Sequence, residues 1–370
     1  MMGDHPIKQI LLDAREYWDH PGTLWNIREN FLKIIRCGTI ALGAEIYASS
    51  TESKLVYHTY KSRFCTSCGQ RATEEWKEDL KATLPDVPYV EITLTMPAQF
   101  WPIIQENRHL LHGMPAMGAE SIKLWAKARH GVRVILMVVQ HTFGGLLNFY
   151  PHLHVLVSVG GLREAEGRWI SRLKYDEQAL IELMHSWRFA VITYLAEALK
   201  RRAIGPELSG QQLQPLLEEQ YERDWHVYVT STMSKAHFVE YVGRYIRRPP
   251  VAEHRLKRET EESVQYVAKD TRNNRLVSMR FSNEKLIHIL KQQVPDRGRH
   301  NMRYFGLLAP RAKARTWAAV FLLLKQKQRP HPPRLSWRWL RLKTFGTDPL
   351  QDSLGRPMHW VGRRAPVKAA

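Results

Sequence analysis

Apolar positions recur along the chain with two different periods. Residues 87–95 (VPYVEITLT) join β-branched and aromatic side chains and predict a strand. Residues 99–130 carry helical spacing and stop at Gly131, a helix-ending signal. Residues 132–142 (VRVILMVVQHT) are apolar at successive positions, which predicts a central strand covered on both faces. A strand at 152–160, a helix at 176–202, a strand at 224–231 (DWHVYVTS) and a helix at 234–248 follow. The resulting β-α-β-β-α-β order plus a helix is that of the ferredoxin-like split βαββαβ arrangement, an α+β fold. Beyond Pro249-Pro250 the pattern weakens, with short strands near Val264 and Leu276, a helix at 284–293 and another at 317–327. From 325 to 364 Arg, Lys, Pro and Trp accumulate with no strong period, and no internal repeat is visible.

This pattern divides the chain into three parts. Residues 1–86 mix short helical patterns with turn residues, hold all three cysteines, and predict a small separate module. Residues 87–250 form the α/β part with its following helix, and 251–370 a basic C-terminal region expected to bind DNA. Lys plus Arg outnumber Asp plus Glu 55 to 36, a formal net charge of +19. Such a surplus favours polyanionic partners, nucleic acid before an acidic membrane surface. The longest apolar runs, 134–139 and 317–324, fall far short of the roughly 20 residues of a membrane span, and residues 1–15 lack an apolar signal core. Three cysteines, two of them as Cys65-Thr66-Ser67-Cys68, argue against a disulfide framework and for a reducing compartment.

The segment Pro151-His152-Leu153-His154-Val155-Leu156-Val157-Ser158 is the densest in candidate chemistry. On a strand, alternate side chains share a face. His152, His154, Leu156 and Ser158 therefore lie on one side and Leu153, Val155, Val157 and Val159 on the other. The second side is all core, and the first offers two imidazoles able to converge on one divalent ion. A third ligand is expected from the preceding strand, which ends Gln140-His141-Thr142; strand parity alone leaves Gln140 and His141 both open.

Tyr241 and Tyr245 stand four apart in Tyr-Val-Gly-Arg-Tyr, which puts both on one helix face. Aromatic pairs at this spacing commonly serve as core. Here Arg244, Arg247 and Arg248 surround the pair with charge suited to phosphate, and Gly243 permits a close approach. A tyrosine hydroxyl, with its ordinary pKa near 10, needs activation to act as a nucleophile. A divalent cation on a phosphate could stabilise the transition state of such an attack.

At these residues the sequence resembles the rolling-circle transposases of the insertion-sequence 91 family, which carry a two-tyrosine HUH (His-hydrophobic-His) nuclease domain. The resemblance runs from Cys37-Gly38-Thr39-Ile40-Ala41-Leu42-Gly43 through Thr142-Phe143-Gly144, the Pro-His-Leu-His strand with Gly160-Gly161, and Tyr-Val-Gly-Arg-Tyr, to His300-Asn301-Met302-Arg303-Tyr304-Phe305-Gly306. It implies Mg²⁺ or Mn²⁺ on His152 and His154, Tyr241 and Tyr245 as nucleophiles forming 5′-phosphotyrosine, and His141 rather than Gln140 as third ligand. It also implies an N-terminal zinc module. Cys65 and Cys68, with Arg63 before and Gly69 after, look like its knuckle, and Cys37 and His58 are the completions at hand for a tetrahedral structural Zn²⁺. Related sequences carry a further cysteine pair where this chain has Ala48-Ser49-Ser50-Thr51-Glu52, and cysteines near the C-terminus where it has residues 348–355.

In the basic tail Trp337, Arg338, Trp339, Arg341 and Lys343 interleave, with Arg329 and Arg334 before them, a composition that suits stacking on unpaired bases. The expected protein is thus a bacterial, cytoplasmic, DNA-associated transposase that nicks single-stranded DNA at element ends and joins it to target DNA. A plasmid or phage rolling-circle replication initiator or relaxase would share the chemistry, but the cysteine module and the C-terminal resemblance disfavour it. A non-catalytic zinc-dependent DNA-binding protein would need neither the histidine nor the tyrosine pair.

Overall fold

The structure, a computed structural model, describes residues 6–60, 64–205, 210–247, 251–270, 273–330 and 335–367. Helices α1 (Pro6–Asp13) and α2 (Trp25–Arg36) precede the hairpin β1 (Ala44–Ala48) and β2 (Ser53–Tyr57), then α3 (Thr66–Thr83). Strand β3 (Tyr89–Leu94) is followed by α4 (Trp101–Glu106) and α5 (Met114–His130), which ends where Gly131 turns left-handed at φ 67°. Strands β4 (Arg133–Phe143), β5 (Phe149–Arg163) and β6 (Arg168–Ile170) lead to α6 (Glu177–Lys200), capped by the Asp176 carboxylate accepting from Ala179 N. After α7 (Gly210–Glu219) come β7 (Val227–Val229) and α8 (Lys235–Tyr245), the latter capped by Ser234. Strands β8 (Leu256–Arg258), β9 (Ser263–Asp270) and β10 (Arg275–Ser282), helix α9 (Asn283–Gln293), β11 (Met302–Gly306), α10 (Pro310–Leu323), α11 (Trp337–Phe345) and β12 (His359–Arg364) complete the fold.

A central sheet runs β11-β4-β5-β3-β7, with β6 added to β5, and every pair in it is antiparallel. The two faces separate by residue parity. Val134, Leu136 and Val138 join Leu153, Val155 and Val157 beneath α4, α5 and α6. Ile135, Met137, Val139 and Leu156 face the other way, beneath α3, α8 and α10 through Trp76, Phe238 and Trp317. Both faces are covered, which accounts for the continuous apolar run of β4. The fourth strand is shorter than its pattern predicts. At its end the Thr230 hydroxyl accepts from Glu91 N at 3.0 Å, so a side chain takes over a ladder bond.

The N-terminal residues do not close a core of their own. Ile7, Ile10, Leu11, Phe31 and the three cysteines share one buried cluster with Leu147, Val264, Tyr266, Leu286 and Leu290. The C-terminal strand returns to the same end: β12 pairs with β1, giving a sheet of order β12-β1-β2. The tail, unpatterned in sequence, contains a helix. Ser336 caps α11, and Lys343 reaches Glu78 of α3 at 2.6 Å. The expected helix at 317–327 starts earlier, at Pro310. Among the described residues no helix is long and apolar enough to cross a membrane.

Candidate metal centre and tyrosine pair

Register brings the histidines together. In the β4–β5 ladder His141 lies directly opposite His152, and His154 follows two residues on. A register shift between His141 and Phe143 bends β4 at this point, as bulges do where a side chain must be re-aimed. One ring nitrogen from each of His141, His152 and His154 lies within 4.8 Å of the other two. His152 Nε2 stands 3.1 Å from His154 Nε2. Gln140 is excluded by parity: its side chain is buried on the opposite side, accepting from Arg299 Nη2 at 2.7 Å and donating to Met114 Sδ at 3.5 Å.

Each imidazole is oriented by a further group. His152 Nδ1 is 2.8 Å from Tyr150 O, and His141 Nε2 is 2.7 Å from Ile246 O. His154 Nδ1 is 2.9 Å from the carboxylate of Glu91, itself 1% exposed and also accepting from Thr93 Oγ1. Burial, and then the neighbouring His154, push His152 down to about 3 against the opposing bond to Tyr150 O. Its ring is therefore neutral at neutral pH, the form that binds a metal. Three converging neutral-capable imidazoles with a carboxylate behind one of them are a donor set that fits a divalent cation.

Glu91 is the site residue the sequence pattern did not single out. It is the one charged side chain in β3, and Tyr89, Glu91 and Thr93 share the face toward the histidines. A lone carboxylate inside an otherwise apolar strand was the available signal.

The tyrosine helix lies on this same face. Phe238, Val239 and Val242 of α8 are buried against it, and Tyr89 stacks on Phe238 with ring centroids 4.6 Å apart. Gly243 faces α3, where a β-carbon would come within 2.5 Å of Lys77 Cδ. Tyr241 and Tyr245 are adjacent, with ring centroids 5.2 Å apart. Tyr241 is half-buried and lies near the Glu91 carboxylate. Burial first, then the charge of Glu91, push its pKa up to about 12. Tyr245 is 48% exposed. Arg244 is exposed, Arg247 stacks its guanidinium 4.7 Å above the Trp76 ring, and Arg248 lies outside the described residues.

The sulfurs of Cys37, Cys65 and Cys68 form a second cluster within 4.8 Å of one another, with Cys37 and Cys68 3.2 Å apart. Hydrogen bonds from Cys37 and Cys65, and then Arg71, draw the Cys68 thiol well down; the same sulfur contacts push Cys65 up. Three buried sulfurs converging on one point suit a thiophilic cation. His58 does not join them, contrary to the sequence expectation. Its Nε2 is 2.9 Å from Glu45 and its Nδ1 3.0 Å from Leu42 O. The backbone explains this: the carbonyl of His58, accepting from Gly38 N, faces the cysteine loop, and its ring turns back over β1. Arg63 and Arg334 lie outside the described residues. In the tail, Arg338 is held by Asp348 and Lys343 by Glu78, so part of that basic charge is already paired within the chain.

A family profile described as "Putative transposase" matches residues 136–316, spanning both histidine strands and the tyrosine helix. A second, described as "Transposase zinc-binding domain", matches residues 11–96. The chain is therefore a transposase. It belongs to the insertion-sequence 91 family and carries that family's N-terminal zinc-binding domain. It is 29% identical over 365 residues to the transposase for insertion sequence element IS801 of Pseudomonas savastanoi pv. phaseolicola, covering 94% of this chain and 86% of that protein. It is also 27% identical over 292 residues to "Putative transposase y4qJ" of Sinorhizobium fredii, covering 74% and 72% respectively. No solved structure matches the chain significantly.

Proposed function

We propose that the chain is an HUH single-strand DNA endonuclease and strand transferase, working by rolling-circle transposition through 5′-phosphotyrosine intermediates. The observation that carries this reading is the histidine trio on the sheet face that α8 covers, with His141 tied to Ile246 O at the end of the tyrosine helix. The spatial order β4-β5-β3-β7, in which the first strand of a β-α-β-β-α-β unit lies between the third and the fourth, agrees with a split ferredoxin-like HUH domain.

His141, His152 and His154 would hold Mg²⁺ or Mn²⁺. When bound, such a cation supplies charge stabilisation at the scissile phosphate, worth several kcal/mol. The chain's own groups do the rest. Tyr241 is protonated at neutral pH, and the nearby Glu91 carboxylate would take the phenolic proton. The bond from the tyrosine oxygen to phosphorus forms as the bond to the 3′-oxygen breaks, and the leaving oxygen is protonated to a free 3′-hydroxyl. Tyr245, beside Tyr241 and open to solvent, would take a second strand. A structural Zn²⁺ would sit on Cys37, Cys65 and Cys68, with its fourth ligand from outside this trio.

The test is covalent capture. With Mn²⁺ and a single-stranded oligonucleotide bearing the element end, the chain should form an adduct that survives denaturing electrophoresis. His152→Ala with His154→Ala should abolish the adduct while leaving most DNA affinity, because phosphate contacts use other groups. Tyr241→Phe with Tyr245→Phe should form none; cleavage by that double variant would make water or another side chain the nucleophile and overturn the mechanism.

A further inference from the structure

Beside the histidine trio, β4 runs on past its partner. The β11 ladder stops at Met302 opposite Val139, so the β4 edge from Gln140 to Phe143 is left to the loop that follows α9. A cleft of about 300 Å³ opens there, floored by His141 itself and walled by Trp25, Phe64, Phe143, Gln293 and Arg299. Its volume is at the lower end of the range for small-molecule sites, room for one planar group rather than a length of strand.

The polar atoms of this cleft are incompletely used. Gln293 is 4% exposed, and its Oε1 accepts from Thr142 Oγ1, yet its Nε2 is buried with no partner. Arg299, with a side chain 6% exposed, spends its two terminal nitrogens on Asp296 and Gln140 but leaves Nε buried and unbonded. Asn301 Oδ1 is likewise buried and unpartnered. Each such group costs about 1–3 kcal/mol if it stays unsatisfied. All three side chains line the cleft, two of the orphaned atoms being donors and one an acceptor. The acids that line it are already neutralised, Asp296 by Arg299 and Arg108, and Glu29 by Lys33. The rim carries Trp25, 60% exposed, with the Arg297 guanidinium 5.4 Å from its ring centroid.

We propose that this cleft receives one unpaired nucleobase of the DNA strand, next to the phosphate at the histidine trio, and reads its edge through Gln293, Arg299 and Asn301. The inference rests on the nuclease reading for its substrate but not for its geometry. A flat ring bearing both acceptors and a donor on its edge satisfies the three orphaned atoms together, and every base has a face for Trp25 to stack on. His141 belongs to both sites, so the base and the scissile phosphate would be neighbours on one strand.

The experiment uses the full chain with chelator present, so that no cleavage occurs, and a pool of random-sequence single-stranded oligonucleotides. The pool bound by the wild-type chain should show a base preference at one position. Gln293→Leu should erase that preference while leaving overall affinity within a few-fold and the salt dependence unchanged. Trp25→Ala, on an exposed residue, should weaken binding about tenfold, the scale of one lost stacking contact. Bromodeoxyuridine placed at the preferred position should photocrosslink to the peptide carrying Trp25 or to that carrying Phe143. An unchanged preference in Gln293→Leu, crosslinks confined to other peptides, or a loss seen only in the salt slope would overturn the proposal. If the preference depends on Gln293 but no adduct forms with Mn²⁺, the nuclease reading fails and the cleft stands. Adduct formation with no effect of either variant on preference or affinity is the converse.

Discussion

At the scale of single residues, the site turns on which way each side chain points. Gln140 and His141 are adjacent, and only His141 lies on the face of His152 and His154; Gln140 is taken up by Arg299 and Met114 on the other. Glu91 ties two functions together, since one carboxylate holds His154 Nδ1 and its charge helps to keep the nearby Tyr241 hydroxyl protonated. Its replacement should therefore act on the metal before it acts on the fold. In Glu91→Gln, Mn²⁺ affinity followed by electron paramagnetic resonance should fall about 10- to 100-fold, the usual cost of losing a carboxylate behind a histidine ligand. An unchanged affinity would reduce Glu91 to a core hydrogen-bond partner.

At the scale of elements, close contacts between distant segments set the positions. Gly243 lets α8 approach Lys77 of α3, whose ammonium is paired with Glu74 at 2.9 Å and also with Glu240 of α8. That contact seats the tyrosines over the sheet. At the other end of the molecule, the β12-β1-β2 sheet is pinned by one carboxylate. Burial raises the Asp352 pKa, but hydrogen bonds from Arg356 N, Ser49 Oγ, Leu354 N and the Arg356 guanidinium outweigh it and hold it at about 2. Because the folded value lies below the ordinary 3.8, this contribution is present above about pH 4 and is lost as pH falls through about 2. Hydrogen exchange of β1 and β12 amides should thus accelerate between those values. Asp352→Asn should show fast exchange already at neutral pH and little further change on acidification. Equal exchange in the two proteins would refute the pin.

At the scale of the whole molecule, the zinc-binding domain is not an appendage. The three cysteines are buried in the cluster that joins α1 and α2 to β9 and α9, so metal bound there would brace the first and the last third of the chain together. Cys65→Ser should lower zinc below one ion per chain and drop the Tm of the main unfolding transition by several degrees, measured on one sample by metal analysis and calorimetry. Loss of zinc with an unchanged Tm would leave the cluster without a structural role.

The sequence by itself determined the elements whose chemistry is local. Strands β3, β4, β5 and β7, the stop of α5 at Gly131, the starts of α6 and α8, the two faces of β5 and the i, i+4 tyrosine pair all follow from side-chain period and turn chemistry within a few residues, whereas β6 and β11 were not legible. Tertiary structure decided what depends on register and return paths. Pairing His141 with His152 requires the β4–β5 ladder and its bulge; linking Glu91 to Tyr241 requires β3 and α8 to meet from positions 150 residues apart. The same holds for His58, a completion at hand for the cysteine site in sequence, whose ring the fold turns toward Glu45. It holds too for the tail, whose helix and strand are stabilised by α3 and β1 more than by any period of their own. Short-range preferences are written in neighbouring residues, whereas convergence of distant groups is written in packing, where burial and hydrogen-bond satisfaction choose among faces that the pattern leaves equivalent.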